Sequence, residues 1–152
     1  MPPDHGFDLS AAIVEQVADA VIFADRRGII RVWNAGAEVV FGYRADEALG
    51  RRLDLIIPQR LRAAHWAAFE LAIETGRTKY GRQALTTRSM KKDGSKLYVD
   101  LSFALVTDDS SEALGSVAVA RDVTGRQAAD SESRQRLAAL EEQVKALSAP
   151  PP

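Results

Sequence analysis

The spacing of apolar positions changes several times along the chain, and each change marks an element. Leu9, Ile13, Val14 and Val17 recur at helical intervals behind Asp8, which predicts a short capped helix ending near residue 19. Residues 20–24 and 29–33 are strand-like, and the Asp25-Arg-Arg-Gly28 between them predicts a hairpin. Asn34 stands where it can cap a helix over 35–41 that Gly42 ends, and 46–49 forms a further helical turn closed by Gly50. After an apolar segment at 53–57, Pro58 fits the first turn of a longer helix that reaches Thr75 and stops at Gly76. Residues 80–90 then alternate with period two, placing Gln83, Leu85 and Thr87 on one face. Beyond the Lys92-Asp93-Gly94 turn, Leu97, Val99, Leu101, Phe103 and Leu105 alternate with Tyr98, Asp100, Ser102 and Ala104, predicting a long half-buried strand. Residues 108–111 are a loop, and 114–123 form a last strand with Val117 and Val119 on one face.

Two strands, several short helices and three more strands predict an α+β fold: a five-stranded antiparallel sheet with helices covering one face, plus flanking N- and C-terminal helices. A sheet under a helical cover encloses a pocket between the layers, the default place for a ligand. The expected organisation is a lead-in and short helix over 1–18, the sheet domain over 19–124 and a helical connector over 125–152. In the connector Leu137, Leu140, Val144 and Leu147 fall three, four and three residues apart, an a/d seam that suggests a dimeric stalk. The alternative is one amphipathic helix folded back on the sheet. Ala149-Pro-Pro-Pro152 terminates the helix in either arrangement.

Composition narrows the function classes. The chain has 152 residues, the size of one domain, and its 46% hydrophobic and 27% charged content is that of a globular protein. Twenty basic against 21 acidic residues give a net charge of −1, which argues against a nucleic-acid partner. The arginines at 26, 27, 31, 51 and 52 are explained by solvated turns. The absence of cysteine removes disulfides, thiolate metal sites and flavin–cysteine photochemistry. With no leader-like start and no apolar run of about 18 residues, the expectation is a cytoplasmic chain without a membrane partner. No carboxylate pair, serine–histidine set or glycine-rich phosphate loop stands out, so no catalytic residue is assigned and no enzyme is expected.

The candidate chemistry centres on His65, inside Leu61-Arg-Ala-Ala-His-Trp-Ala-Ala-Phe-Glu-Leu-Ala-Ile-Glu-Thr-Gly76. Neutral imidazole is a common ligand for iron and zinc. Helical spacing sets Leu61, Ala68, Phe69 and Ala72 around His65, and the alanines at 63, 64, 67, 68 and 72 leave volume near it. Pointing inward, the imidazole makes the chain a cofactor-based sensor; pointing outward, it leaves an ordinary interaction or dimerisation module. His5, in the lead-in, is given no role.

Asp19-Ala-Val-Ile-Phe-Ala-Asp, Gly28-Ile-Ile-Arg-Val-Trp-Asn, Phe41-Gly-Tyr, Leu49-Gly, Lys92-Asp-Gly and Arg121-Asp-Val-Thr occur in the order of the landmarks of a PAS domain, which residues 19–124 resemble. The resemblance implies the sheet and helical cover derived above, and a cytoplasmic sensory role in bacterial signal transduction of the two-component kind. It further implies homodimerisation through terminal helices and a sheet face, with coupling to an output domain or a partner kinase or cyclase. Within the family the chain is most similar to haem-binding members. That likeness implies haem b as cofactor, with His65 as the metal ligand and a diatomic gas or redox state as the signal.

By the same likeness the haem pocket takes Ile57, Leu61, Phe69 and Ile73 from the helical side, and Leu101, Phe103, Val117 and Val119 from the later strands. Lys79, Tyr80, Gln83 and Leu85 complete it. Leu85 stands where haem-binding oxygen sensors carry an arginine that hydrogen-bonds the gas, which shifts the expectation toward carbon monoxide or nitric oxide. Gln83 stands where one group has a methionine, and can donate a hydrogen bond. Lys79 replaces a second histidine near the haem edge. Non-covalent FAD at Trp33 and Asn34 is a weaker implication, and an empty or organic-ligand pocket in a dimerisation module is the other reading.

Overall fold

A computed structural model describes residues 6–79, 81–148 and 150. Tyr80, His5 and most of the proline end (149, 151 and 152) lie outside the described residues. The element order is α1 (Leu9–Gln16), β1 (Ala20–Asp25), β2 (Ile30–Trp33), α2 (Ala35–Phe41), α3 (Ala45–Ala48), a 3-10 turn (Leu53–Leu55), α4 (Gln59–Thr75), β3 (Leu85–Met90), β4 (Lys96–Thr107), β5 (Ala113–Asp122) and α5 (Thr124–Leu147). The strands form one sheet in the order β2-β1-β5-β4-β3, every neighbouring pair antiparallel. The α+β architecture expected from the pattern, a five-stranded antiparallel sheet under a helical cover, is the one observed.

Local chemistry sets the boundaries. The β1–β2 turn is held by Asp25, whose Oδ1 accepts from the backbone N–H groups of Arg27 at 2.9 Å and Ile29 at 3.1 Å. Gly28 closes it at φ +77°, a conformation that suits a residue without Cβ. Asn34 caps α2 through a 2.9 Å bond from Ala37 N–H, and Gly42 and Gly76 end α2 and α4 in the left-handed conformation. One boundary differs from the pattern: β3 begins at Leu85, not at residue 80. Leu85 pairs with Leu101, and the exposed residues 81–84 have no place in the β3–β4 ladder.

The two sheet faces differ in side-chain size. Ala20, Ile22, Ala24, Ala118 and Ala120 point inward and are buried, with Leu97 and Val99 from β4. Over them pack Trp33, Phe41, Leu53 and Phe69, so the core lies between the sheet and its helical cover. Trp33 and Phe41 meet with ring centroids 5.5 Å apart. The small inward residues on β1 and β5 leave room for these rings to approach the backbone.

α5 leaves the sheet rather than folding back over it. Its root is fixed: Val123 N–H donates to the Tyr98 carbonyl at 2.8 Å, and Tyr98 N–H donates to Thr124 Oγ1 at 3.0 Å. From residue 132 to its end every position is exposed. No described helix is long and apolar enough to cross a membrane.

Candidate functional site

α4 turns a mixed stripe toward the sheet. Leu61, Arg62, His65, Trp66, Ala72 and Ile73 are half-buried and Phe69 is buried, at the three- and four-residue spacing of one helix face. Ala63, Ala64, Ala67 and Ala68 are exposed, so the volume that their small side chains release lies on the solvent side of the helix, not around His65.

His65 sits in an aromatic cluster. Its ring stacks on Phe69, centroids 6.1 Å apart and planes 28° apart, and meets Trp66 edge-on at 4.9 Å. Trp66 is itself locked: its indole N–H donates to Asp54 Oδ1 at 2.7 Å, and the Arg52 guanidinium lies 4.3 Å from its ring centre. The indole presses on Gly28, where a Cβ would collide with the ring. Asp54, Arg52 and Gly28 therefore position Trp66, and Trp66 with Phe69 orients the imidazole. None of the three was singled out for this role by the sequence pattern. The only signal was that Asp54 follows the Arg51-Arg52 pair in a turn region.

The Nδ1 atom of His65 is sealed from solvent and has no hydrogen-bond partner. An enclosed polar atom without a partner is uncommon and costs its desolvation free energy. Burial pushes the imidazole pKa below its ordinary value, and the Asp54 carboxylate only partly opposes this. The ring is therefore neutral at pH 7, the form in which a nitrogen lone pair is available to a metal. Because the unfolded chain binds the proton more readily, stability is expected to fall as pH drops below about 6.5, the unfolded histidine pKa, and to level off below the folded one. Urea midpoints between pH 7.5 and 5 in wild type and His65→Gln test this. With only two histidines in the chain, a slope that survives the substitution assigns the effect elsewhere.

The other expected site residues divide by location. Leu85 and Leu101 are register partners on the inward sheet face; Leu101 is aligned with Ala120, and Phe103 with Ala118 on the same face. Ile57, Ile73 and Leu101 pack against the core. Val117 and Val119 do not belong with them. They alternate with the buried Ala118 and Ala120, and so lie on the outer face with Phe23 and Val21 as partners. Gln83 and Lys79 are exposed in the segment before β3.

Among the described residues no three His, Asp or Glu side chains converge to hold a bare metal ion. His65 borders neither of two open grooves. One, about 450 Å³, is lined by Tyr43, Arg51, Arg52, Asp54, Leu55, Arg62 and Met90; the other runs along the apolar side of α1.

The site wall connects to the ends of the domain. Asp100, next to Leu101 but on the outer face, accepts from Thr86 on β3 at 2.5 Å and from Arg126 on α5 at 2.7 Å. Those two bonds, Thr86 first, hold the Asp100 carboxyl below its usual range. Arg121 forks onto both oxygens of Asp19 at 2.9 and 3.0 Å, tying the last strand to the residue ahead of the first.

A family model for the PAS fold matches residues 9–123. The oxygen sensor protein DosP of Escherichia coli is 27% identical over 128 residues, covering 84% of this chain but 16% of that protein. Sensor protein FixL of Bradyrhizobium diazoefficiens is 33% identical over 54 residues, 36% of this chain and 11% of its own length. The chain thus spans less than a fifth of either relative. The PAS domain of a Colwellia psychrerythraea protein superposes with a TM-score of 0.67 at 22% identity, over 76% of this chain and 95% of that one. With a family match over most of its length and this sheet order beneath its helical cover, the chain belongs to the PAS fold family.

Proposed function

We propose that this PAS domain binds haem b with His65 as the protein ligand to iron, and senses a diatomic gas or redox state. The observation that carries the reading is the sealed, unpartnered Nδ1 of a neutral imidazole on the sheet-facing side of α4. A macrocycle brings four of its own donors, so a single protein ligand suffices where no cluster of ligands exists. The similarity to a protein named as an oxygen sensor supports the same reading.

The residues fit the group chemically, and they set a condition on its entry. Phe69 is buried in the core beside His65 and α4 lies against β5, so a flat cofactor enters only if α4 draws back from the sheet. Bound haem would supply an iron centre open to a diatomic ligand or to electron transfer. Leu85 and Leu101 would give that space an apolar wall, and the Leu85 side chain has no hydrogen-bond donor. Exposed Gln83 supplies none in this arrangement. Carbon monoxide and nitric oxide therefore suit the wall better than oxygen.

The relay runs through β4. A shift at Leu101 moves Asp100, which grips Thr86 on β3 and Arg126 at the root of α5. α5 then carries the change to a homodimer partner and to an output domain of the kinase or cyclase type. A population shift of this kind needs contacts that differ between the two states, and the relay assigns that part to the Asp100–Arg126 pair.

Haemin titration followed in the Soret region tests the proposal. Wild type is expected to saturate at one haem per chain with a shifted band, and His65→Ala to lose the shift while keeping its far-ultraviolet dichroism. Equal spectra for the two proteins would falsify ligation by His65.

A further inference from the structure

Outside the space between sheet and cover, the groove beside the start of α4 has the chemistry of an anion site. We propose that it binds a phosphate monoester of the nucleoside monophosphate class, and that this second ligand acts on His65 through Trp66. The groove has a volume of about 450 Å³, and His65, Phe69 and Leu101 are not among its lining residues. That volume falls within the range of small-molecule sites, roughly 300–1,000 Å³.

Arg51, Arg52 and Arg62 line it against the single carboxylate of Asp54. Two of the three guanidiniums are held in place. Arg62 donates through Nε to the Ile57 carbonyl at 3.0 Å and through Nη2 to the Asp54 carbonyl at 3.1 Å, and Arg52 lies over the Trp66 ring. Each approaches the Asp54 carboxylate only at 3.9 Å, beyond hydrogen-bond reach, and Asp54 Oδ1 already accepts from the Trp66 indole. The Arg51 side chain has no ion-pair or hydrogen-bond partner among the described residues. Three positive charges against one negative leave an excess of two. A phosphate monoester matches it, being close to a dianion at about pH 7.5 and carrying three acceptor oxygens that guanidinium forks recognise. Tyr43, Leu55 and Met90 also line the groove and offer the organic part of the ester an apolar side. Inorganic phosphate would leave that side unfilled.

The groove and the imidazole share two supports. Arg52 and Asp54 both line the groove and both hold Trp66, whose ring meets His65 edge-on at 4.9 Å. An anion that draws Arg52 off the indole loosens Trp66, and with it the orientation of the imidazole. Such coupling is reciprocal: a group held by His65 changes the affinity of the groove by the same factor that the ester changes the affinity at His65. The sensor thereby gains a second input, and only this last step rests on the reading of His65 given above.

Calorimetric titration of the full chain with adenosine monophosphate, inorganic phosphate and adenosine, at low salt and about pH 7.5, reads the site. The monophosphate is expected to saturate at one per chain, inorganic phosphate to bind at least tenfold more weakly, and adenosine not to bind. Arg51→Gln is expected to weaken the monophosphate at least tenfold with an unchanged urea midpoint, since that side chain is exposed and has no partner to lose. The chain has two tryptophans, so the monophosphate should alter tryptophan emission in wild type and leave it unaltered in Trp66→Phe while binding persists. No saturable heat, or equal affinity in wild type and Arg51→Gln, overturns the site. Inorganic phosphate as tight as the ester overturns the ligand class, and an emission change of equal size in Trp66→Phe overturns the coupling. No haem is present in these titrations, so their outcome is independent of ligation by His65.

Discussion

Asn34→Ala is expected to lower the free energy of unfolding by about 4 kcal/mol, at about 1 kcal/mol for each of four hydrogen bonds. The side chain is 1% exposed and joins three elements. Its Oδ1 accepts from Val21 N–H at 2.8 Å and Ala37 N–H at 2.9 Å, while its Nδ2 donates to the carbonyls of Val14 at 2.8 Å and Asp19 at 3.0 Å. Alanine leaves these groups without their Asn34 bonds and cannot recover them by moving. Asn34→Asp tells a cap from a knot. It keeps the acceptor that a cap needs, but turns an anion toward two carbonyl oxygens, and should be at least as damaging as alanine. Urea unfolding of both variants is the measurement; an aspartate protein near wild-type stability would reduce Asn34 to a cap.

Gly36→Ala is expected to cost about 3 kcal/mol, at the upper end for overpacking a tight contact. The sign is informative because helix propensity alone predicts a gain of about 1 kcal/mol. A Cβ at this position would lie 2.6 Å from the carbonyl carbon of Asp19 and nearer still to its oxygen. Those are backbone atoms in the turn that Asn34 also holds, so they cannot swing aside. α2 must lift off the turn, and Trp33 and Phe41 move with it. A melting temperature equal to or above that of wild type would show that the turn yields.

Much of the architecture was legible because short-range chemistry enforces it. The Asp25–Gly28 hairpin, the Asn34 cap and the stops at Gly42 and Gly76 depend on neighbours within four residues, and they appear where the pattern puts them. β3 was overextended because polar alternation over 81–84 resembles a strand, whereas the ladder with β4 ends at Leu85. The faces of β5 misled for a different reason. Valines alternate with alanines there, and the likeness to haem-binding members put Val117 and Val119 in the pocket. In the structure the alanines are inside, because aromatic rings from the cover need the space beside the backbone.

The site shows the same division. That His65 shares a helix face with Leu61 and Phe69 follows from spacing. That its Nδ1 is enclosed does not, because this depends on Trp66, which Asp54, Arg52 and Gly28 hold from distant points in the chain. The a/d seam of α5 was plain, but whether it lay on the sheet or in solvent was a tertiary question. The exposed stripe answers it.

The fork between Arg121 and Asp19 joins places 102 residues apart in the chain. Ala20 and Ala120 are also register partners, so the polypeptide enters the sheet and leaves it through adjacent doorways. A unit with such neighbouring portals can be spliced into a longer polypeptide as a cassette, with little change in the distance between the segments on either side. Torque applied at one doorway would then act on its neighbour through the guanidinium clasp and the adjoining β1–β5 ladder rather than through the breadth of the sheet.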